Sequence, residues 1–236
     1  MAETKAWRVV LDHVEKRLRD GTLGPGDRLP GERELATQLG VGRSSVREAL
    51  RVLEVMGVLH TATGSGPRSG AVITTSASSG VAQVLGLQAA AQAFEFGDVV
   101  DARLVLEAAV VEALAATTPE LSAAREVLDA MDDDALTSDE FLSLDARFHG
   151  LLAEATGNAV FATVMTGLRA AIETYVQSRA HAIGDWSAAR DRLQHEHRGV
   201  LEAVRAGDAD DARQRIHDHI GGYYAATRIR DEQQRQ

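Results

Sequence analysis

ERELATQLGVGRSSVREALRVLEVM, residues 32–56, holds two short amphipathic runs separated by the turn Leu39-Gly40-Val41-Gly42. The first run stops at Gly40, a residue free to take positive φ, as a tight turn requires. The second places Val46, Leu50 and Leu53 on one face while Arg43, Arg47 and Arg51 project elsewhere, and Gly57 ends it. Two such helices, the second opening on polar donors, match a helix-turn-helix. The recognition helix begins at Gly42 or Arg43, so its first turn offers Arg43, Ser44, Ser45 and Arg47 to a major groove. There arginine can bind guanine O6 and N7, and the hydroxyls can reach bases or phosphate.

Upstream, apolar Val10, Val14 and Leu18 predict a helix from Ala6 to Asp20, broken by GPGDRLPG with Pro25 and Pro30. Downstream, VLHTAT and AVITT have strand composition around the loop GSGPRSG, which makes a β-hairpin wing. Arg68 in that loop can enter a minor groove or pair with phosphate. The loop lacks GxxxxGK[ST] and sits within a hairpin, which argues against a nucleotide cradle. A pair of arginines on a helix is usually a solvated face; the ordered set of helix, turn, recognition helix and wing points to DNA.

Length and charge agree with this division. At 236 residues, two modest domains are expected. The polar stretch SASSG, 76–80, reads as the linker between a DNA-binding domain, 1–75, and a helical domain, 81–236. The net charge of −10 conceals a gradient, because residues 1–75 carry a net +2 and the remainder −12, which confines DNA contacts to the first third. Hydrophobic residues are 44% of the chain and aromatic ones 4%, a composition that packs helices around Ala, Leu and Val. The fold class is therefore mainly α: a winged helix-turn-helix followed by an antiparallel all-helical bundle. Helices are predicted near 81–92, 97–117, 119–131, 138–156, 158–183, 186–206 and 208–232. Caps are expected at Thr118 ahead of Pro119, at Thr137 with Glu140, and at Asp208 after Gly207. The absence of a long apolar run and of a signal-peptide core predicts a cytoplasmic protein. With no cysteine, any metal must be held by His and carboxylate.

Helical phase sorts the eight histidines. In the helix near 138–156 the apolar face is Phe141, Phe148, Leu151 and Leu152, and Asp145 with His149 falls on or beside it. In the helix near 186–206 the inward set of Leu193, Val200, Leu201 and Val204 includes His197 and excludes His195. In the last helix Ala212, Ile216, Ile220 and Tyr223 define a side that admits His219 and leaves out His217. A buried carboxylate must find a proton, a cation or a metal, so Asp145, His149, His197 and His219 form a candidate site for Zn²⁺, or for Ni²⁺, Mn²⁺ or Fe²⁺. The alternative is a hydrogen-bonded Asp-His core cluster.

GDRLPGERELATQLGVGRSSVREALRVLEVMGVL, residues 26–59, resembles the GntR family of bacterial transcription regulators. The resemblance implies DNA contacts by Arg33, Arg43, Ser44, Ser45 and Arg47, with Gly66 in the wing. Two positions depart from the family pattern: Gly31 stands where many relatives have Ser, and Gly42 where Ser or Thr is frequent. The Asp-x-x-x-His pair and two later histidines resemble the FadR-like or FCD branch, which implies metal binding by Asp145, His149, His197 and His219. DARLVLE matches that branch's Arg and Glu four apart, implying that Arg103 grips an organic acid's carboxylate; the plain alternative is a surface pair of Arg103 with Glu107. The phrases LHTATGSGPRSGAVIT, MDDDALTSDEFLSLDARFH, RLQHEHR and HIGGYY are similar to L-lactate-responsive regulators of lactate utilisation operons. The resemblance as a whole implies a homodimeric repressor, not an enzyme, that leaves its operator DNA when a small hydroxycarboxylate such as L-lactate binds. Pyruvate, a dicarboxylate or a sugar acid as effector, or a purely structural metal, remain alternatives. A metalloenzyme is disfavoured, because no further Glu or Lys is placed as a general base and the DNA reader would be unexplained.

Overall fold

The order of elements is three helices, a two-stranded hairpin, then seven helices in a computed structural model that describes residues 5–62, 70–74, 78–117, 119–177 and 186–234. The chain divides into two units, Met1–Val84 and Leu85–Gln236, each with its own core.

In the first unit α1 (Ala6–Arg19), α2 (Glu32–Leu39) and α3 (Arg43–Val55) surround a core that includes Val10, Val14, Leu35, Val46 and Leu50. Gly40 closes α2 at φ 65°, a left-handed conformation open to glycine at little cost, and the Gly40 N–H reaches the Ala36 carbonyl. The recognition helix thus starts at Arg43, with Gly42 as its cap. Strands β1 (Leu59–Ala62) and β2 (Gly70–Ile73) pair antiparallel in the register Leu59 with Ile73 through Ala62 with Gly70. The 26–29 segment hydrogen-bonds to the other side of β2, with the Leu29 N–H on the Ala71 carbonyl at 2.9 Å. The wing loop lies outside the described residues, and with it Gly66 and Arg68.

Helix α4 (Ser78–Ala90) begins within the expected 76–80 linker, three residues before its apolar pattern predicts. Gly80 is required there by close approach, since a Cβ at that position would lie 2.0 Å from the Met56 carbonyl oxygen.

In the second unit α5 (Phe96–Ala115), α6 (Ser122–Ala130), α7 (Ser138–Ala155), α8 (Ala159–Gln177), α9 (Trp186–Ala206) and α10 (Ala209–Gln234) form the bundle. Helix α5 packs against α7, α8, α9 and α10. Phe141 and Phe148 are fully buried beside Leu114, Leu152, Leu193 and Ile216, and a side chain of that size contributes roughly 1.5–3 kcal/mol on burial. Thr137 caps α7 with a complete capping box, the Glu140 carboxylate returning to the Thr137 N–H at 2.9 Å. Asp208 caps α10 by accepting the Asp211 N–H at 3.0 Å. Thr118 lies outside the described residues, and α6 starts at Ser122 rather than Pro119, where the Glu120 carboxylate accepts the Ser122 N–H at 2.8 Å. No helix among the described residues is long and apolar enough to cross a membrane.

The Thr137 cap orients the helix that bears two of the site residues. Thr137→Ala should lower unfolding stability by about 1 kcal/mol. Denaturant titration of the full chain checks this, and an unchanged midpoint counts against the cap's importance.

Candidate metal centre and nucleic-acid interface

Helix α7 supplies Asp145 and His149 from one face, four residues apart, α9 supplies His197 and α10 supplies His219. One ligand atom from each of the four lies within 4.8 Å of every other. Ring centroids are 5.3 Å apart for His149 and His197, 5.2 Å for His149 and His219, and 4.3 Å for His197 and His219. Phe148 wedges edge-on against His149 and His197 at 5.4 and 5.0 Å, fixing both rings by packing. His195 and His217, the two neighbours excluded by phase, are exposed.

The hydrogen bonds around the rings determine which nitrogens face inward. Nδ1 of His149 contacts a carboxylate oxygen of Glu107, and Nδ1 of His219 lies 2.8 Å from Oε2 of Glu196. A carboxylate accepts, so at each contact Nδ1 carries the hydrogen and Nε2 is turned away from the carboxylate. Nε2 of His149 and both ring nitrogens of His197 are buried without a hydrogen bond. Nε2 of His197 lies 3.0 Å from Oδ1 of Asp145. Lone pairs so enclosed are costly unless something else engages them.

Burial and the neighbouring His219 push His197 down to about 4, so its imidazole is neutral near pH 7. Burial opposes the charge on Asp145, but His197, with His149 and His219 beyond it, holds this carboxyl well below the usual range. One carboxylate and three imidazoles make a donor set that suits a divalent cation. Buried ring nitrogens without a partner, close to the Asp145 carboxylate, fit a metal better than a self-satisfied Asp-His cluster.

The site opens on a cavity of about 710 Å³. Its walls mix Leu151, Met165, Leu168 and Ile172 with Arg103, Asp145, His149 and His219. Arg103 is no surface residue, for its side chain is 11% exposed and that of Glu107 4%. Its Nε donates to Glu107 at 2.5 Å and its Nη1 to the Tyr224 hydroxyl at 2.8 Å. Burial works against both charges of this pair; Glu107 and Tyr224 nevertheless raise Arg103, while Arg103 and His149 bring Glu107 down to about 2. Both remain ionised.

Three participants were not assigned these roles from sequence. Glu107 occupies a buried position of α5 with Val100, Val111 and Leu114, a phase that marks it as an inward carboxylate. Tyr224 continues the stripe of Ala212, Ile216 and Ile220 and is 3% exposed; the Tyr223 side chain, expected in that stripe, lies outside the described residues. Glu196 precedes His197 and turns to His219, a partnership across helices that no local spacing encodes.

On the first unit Arg33, Arg43, Ser44 and Arg47 are exposed and Ser45 is half-buried. Arg47 is engaged within the motif: Nε and Nη2 fork onto the Glu32 carboxylate at 3.3 and 3.0 Å. That fork bridges α2 and α3 and holds the Glu32 carboxyl below its ordinary value.

Residues 8–68 match the family model "Bacterial regulatory proteins, gntR family", and residues 98–222 match the FCD domain. The "Putative L-lactate dehydrogenase operon regulatory protein" of Escherichia coli (strain K12) is 30% identical over 229 residues, 95% of this chain and 87% of its own. The "HTH-type transcriptional repressor NanR" of Cronobacter sakazakii is 27% identical over 235 residues, 95% of this chain and 86% of its own. Among solved structures, Streptococcus agalactiae GntR superposes with a TM-score of 0.57 at 23% identity, covering 92% of this chain and 98% of that one, a likeness of fold. With a DNA-reading motif ahead of a ligand-binding helical bundle, the chain belongs to the GntR family and is a transcriptional regulator with an FCD domain.

Proposed function

We propose that this regulator is a homodimeric, metal-containing repressor of the cytoplasm that releases its operator when a small hydroxycarboxylate such as L-lactate binds the helical unit. The observation carrying this reading is that Arg103, a half-buried and permanently charged guanidinium, lines the same cavity as Asp145, His149 and His219. Guanidinium takes a carboxylate bidentately, and a cation held by the four side chains offers Lewis acidity to a ligand oxygen. A 2-hydroxy acid presents both groups from adjacent carbons. Zinc suits the donor set first, ahead of nickel, manganese or iron. The name of the Escherichia coli relative supports lactate.

DNA and effector are linked through the protein: an acid weakens operator binding only if it binds the DNA-free geometry more tightly. Arg43, Ser44, Ser45 and Arg47 read the major groove, Arg33 braces the approach, and the wing with Gly66 and Arg68 lies against the backbone or minor groove. Two-fold operators match the usual symmetry of such readers. A second reading rests on size. A cavity of about 710 Å³ is in the range that holds drug-sized ligands, so a three-carbon acid would share it with water while a longer sugar acid would fill it.

Three outcomes follow. In metal-replete protein L-lactate should weaken operator binding about 5- to 150-fold, and a chelator should abolish the response. A panel with pyruvate, dicarboxylates and sugar acids ranks the alternatives, and indifference to every acid ends the sensor reading. His197→Ala should lose its metal by elemental analysis, whereas Arg103→Ala should retain metal yet ignore the acid; equal metal content in wild type and His197→Ala would falsify the metal assignment. Arg43→Ala should cost about 1–3 kcal/mol in operator affinity with less effect on random DNA, and an unchanged footprint removes Arg43 from the interface.

A further inference from the structure

Glu107 is 3% exposed, the sole carboxylate in the buried class among the described residues. Its two oxygens serve different masters. Oε1 accepts the Arg103 Nε–H at 2.5 Å and Oε2 accepts from Nδ1 of His149. Arg103 and Nδ1–H are both donors, and an ionised carboxylate is the side chain of this length that offers an acceptor to each. Glu196 makes an instructive contrast. It holds His219 in the same way, at 2.8 Å, but its other oxygen faces Arg192 at 3.4 Å, and neither Glu196 nor Arg192 lines the cavity.

We propose that Glu107 is a positioning residue that ties the anion-binding arginine to the metal centre. One carboxylate fixes His149 in the tautomer that presents Nε2 and, with the same group, holds Arg103 at the cavity wall. Partners of this kind orient a metal-ligating imidazole and raise its basicity. The tie also gives the two sites a shared energy. An organic carboxylate drawing on the Arg103 charge leaves Glu107 a stronger acceptor for Nδ1–H, which makes Nε2 a better donor, so effector and metal each tighten the other. Glu196 supports its ligand without reaching the cavity wall.

The proposal rests on the metal reading above, and the experiment separates the two. Full-length wild type, Glu107→Gln, Glu107→Asp and Glu196→Gln are compared for zinc affinity by chelator competition. In metal-free protein, long-range ¹H–¹⁵N spectra report the His149 tautomer and the Arg103 Nε–H signal. Glutamine matches glutamate in shape but offers one acceptor and one donor, so it cannot serve both partners. Glu107→Gln should therefore shift His149 toward the Nε2–H tautomer, expose Arg103 Nε–H to exchange and lower zinc affinity about 10- to 100-fold. Glu196→Gln should lower zinc affinity comparably and leave the Arg103 signal alone. Glu107→Asp, shorter but with two acceptors, should retain the Nδ1–H tautomer and more zinc affinity than the glutamine variant; it also serves if the latter does not fold. An unchanged tautomer with zinc affinity within about twofold of wild type in Glu107→Gln overturns the proposal, as does an aspartate variant no better than the glutamine one. Failure of wild type to bind zinc sinks the metal reading instead, while the tautomer and arginine signals still decide the role of Glu107.

Discussion

Buried imidazole is the constraint on which the helical unit is built. Three rings are enclosed among Phe148, Leu152, Val200 and Ile216, and Nε2 of His149 and both nitrogens of His197 have no hydrogen-bond partner there. Every feature near them answers that difficulty. Glu107 and Glu196 occupy the outer nitrogens of His149 and His219, Phe148 packs two of the rings edge-on, and Asp145 brings charge to the centre. A protein interior tolerates such a cluster when each polar atom has somewhere to go, and otherwise unfolds or takes up a proton. The bundle geometry, with α5 packed against α7, α9 and α10, brings the four donors and their two carboxylate partners to one place.

Much of this was legible from period alone. Helical phase separated His197 from His195 and His219 from His217, because residues two apart on a helix point some 200° apart. The turn at Gly40 and the capping box at Thr137 were equally local signals. What escaped the sequence was pairing between helices: the Nδ1 of His149 is 42 residues from Glu107, and the Arg103 guanidinium is 121 from the Tyr224 hydroxyl. Sequence spacing says which face a residue occupies but not which neighbour lies opposite. Helix ends were lost for a different reason. Helix α4 begins at Ser78, where Gly80 lets the backbone approach Met56, and α6 begins at Ser122, next to a contact of the Glu120 carboxylate with the Ser122 N–H that no local spacing marks.

The two units solve opposite electrostatic problems. The helical unit must keep water from a small set of charges, and it does so with a core of aliphatic side chains and two phenylalanines. The DNA-reading unit must offer its charges to water and phosphate, and its apolar core accordingly lies beneath exposed Arg33, Arg43 and Arg47. The charge gradient along the chain records this division, since a strongly acidic second unit repels nucleic acid and leaves contact to the first.

The fork between Arg47 and Glu32 bears on how the motif responds to salt. An arginine that meets phosphate from open water releases about one counterion and steepens the ionic-strength dependence accordingly. Arg47 starts with a counterion of its own, covalently part of the neighbouring helix. Transfer to a phosphate would strand the Glu32 carboxylate, and added salt would loosen the old partnership together with the new. If Arg47 engages DNA as proposed, it would act as an ion exchanger, adding orientation to the complex and little to its salt sensitivity.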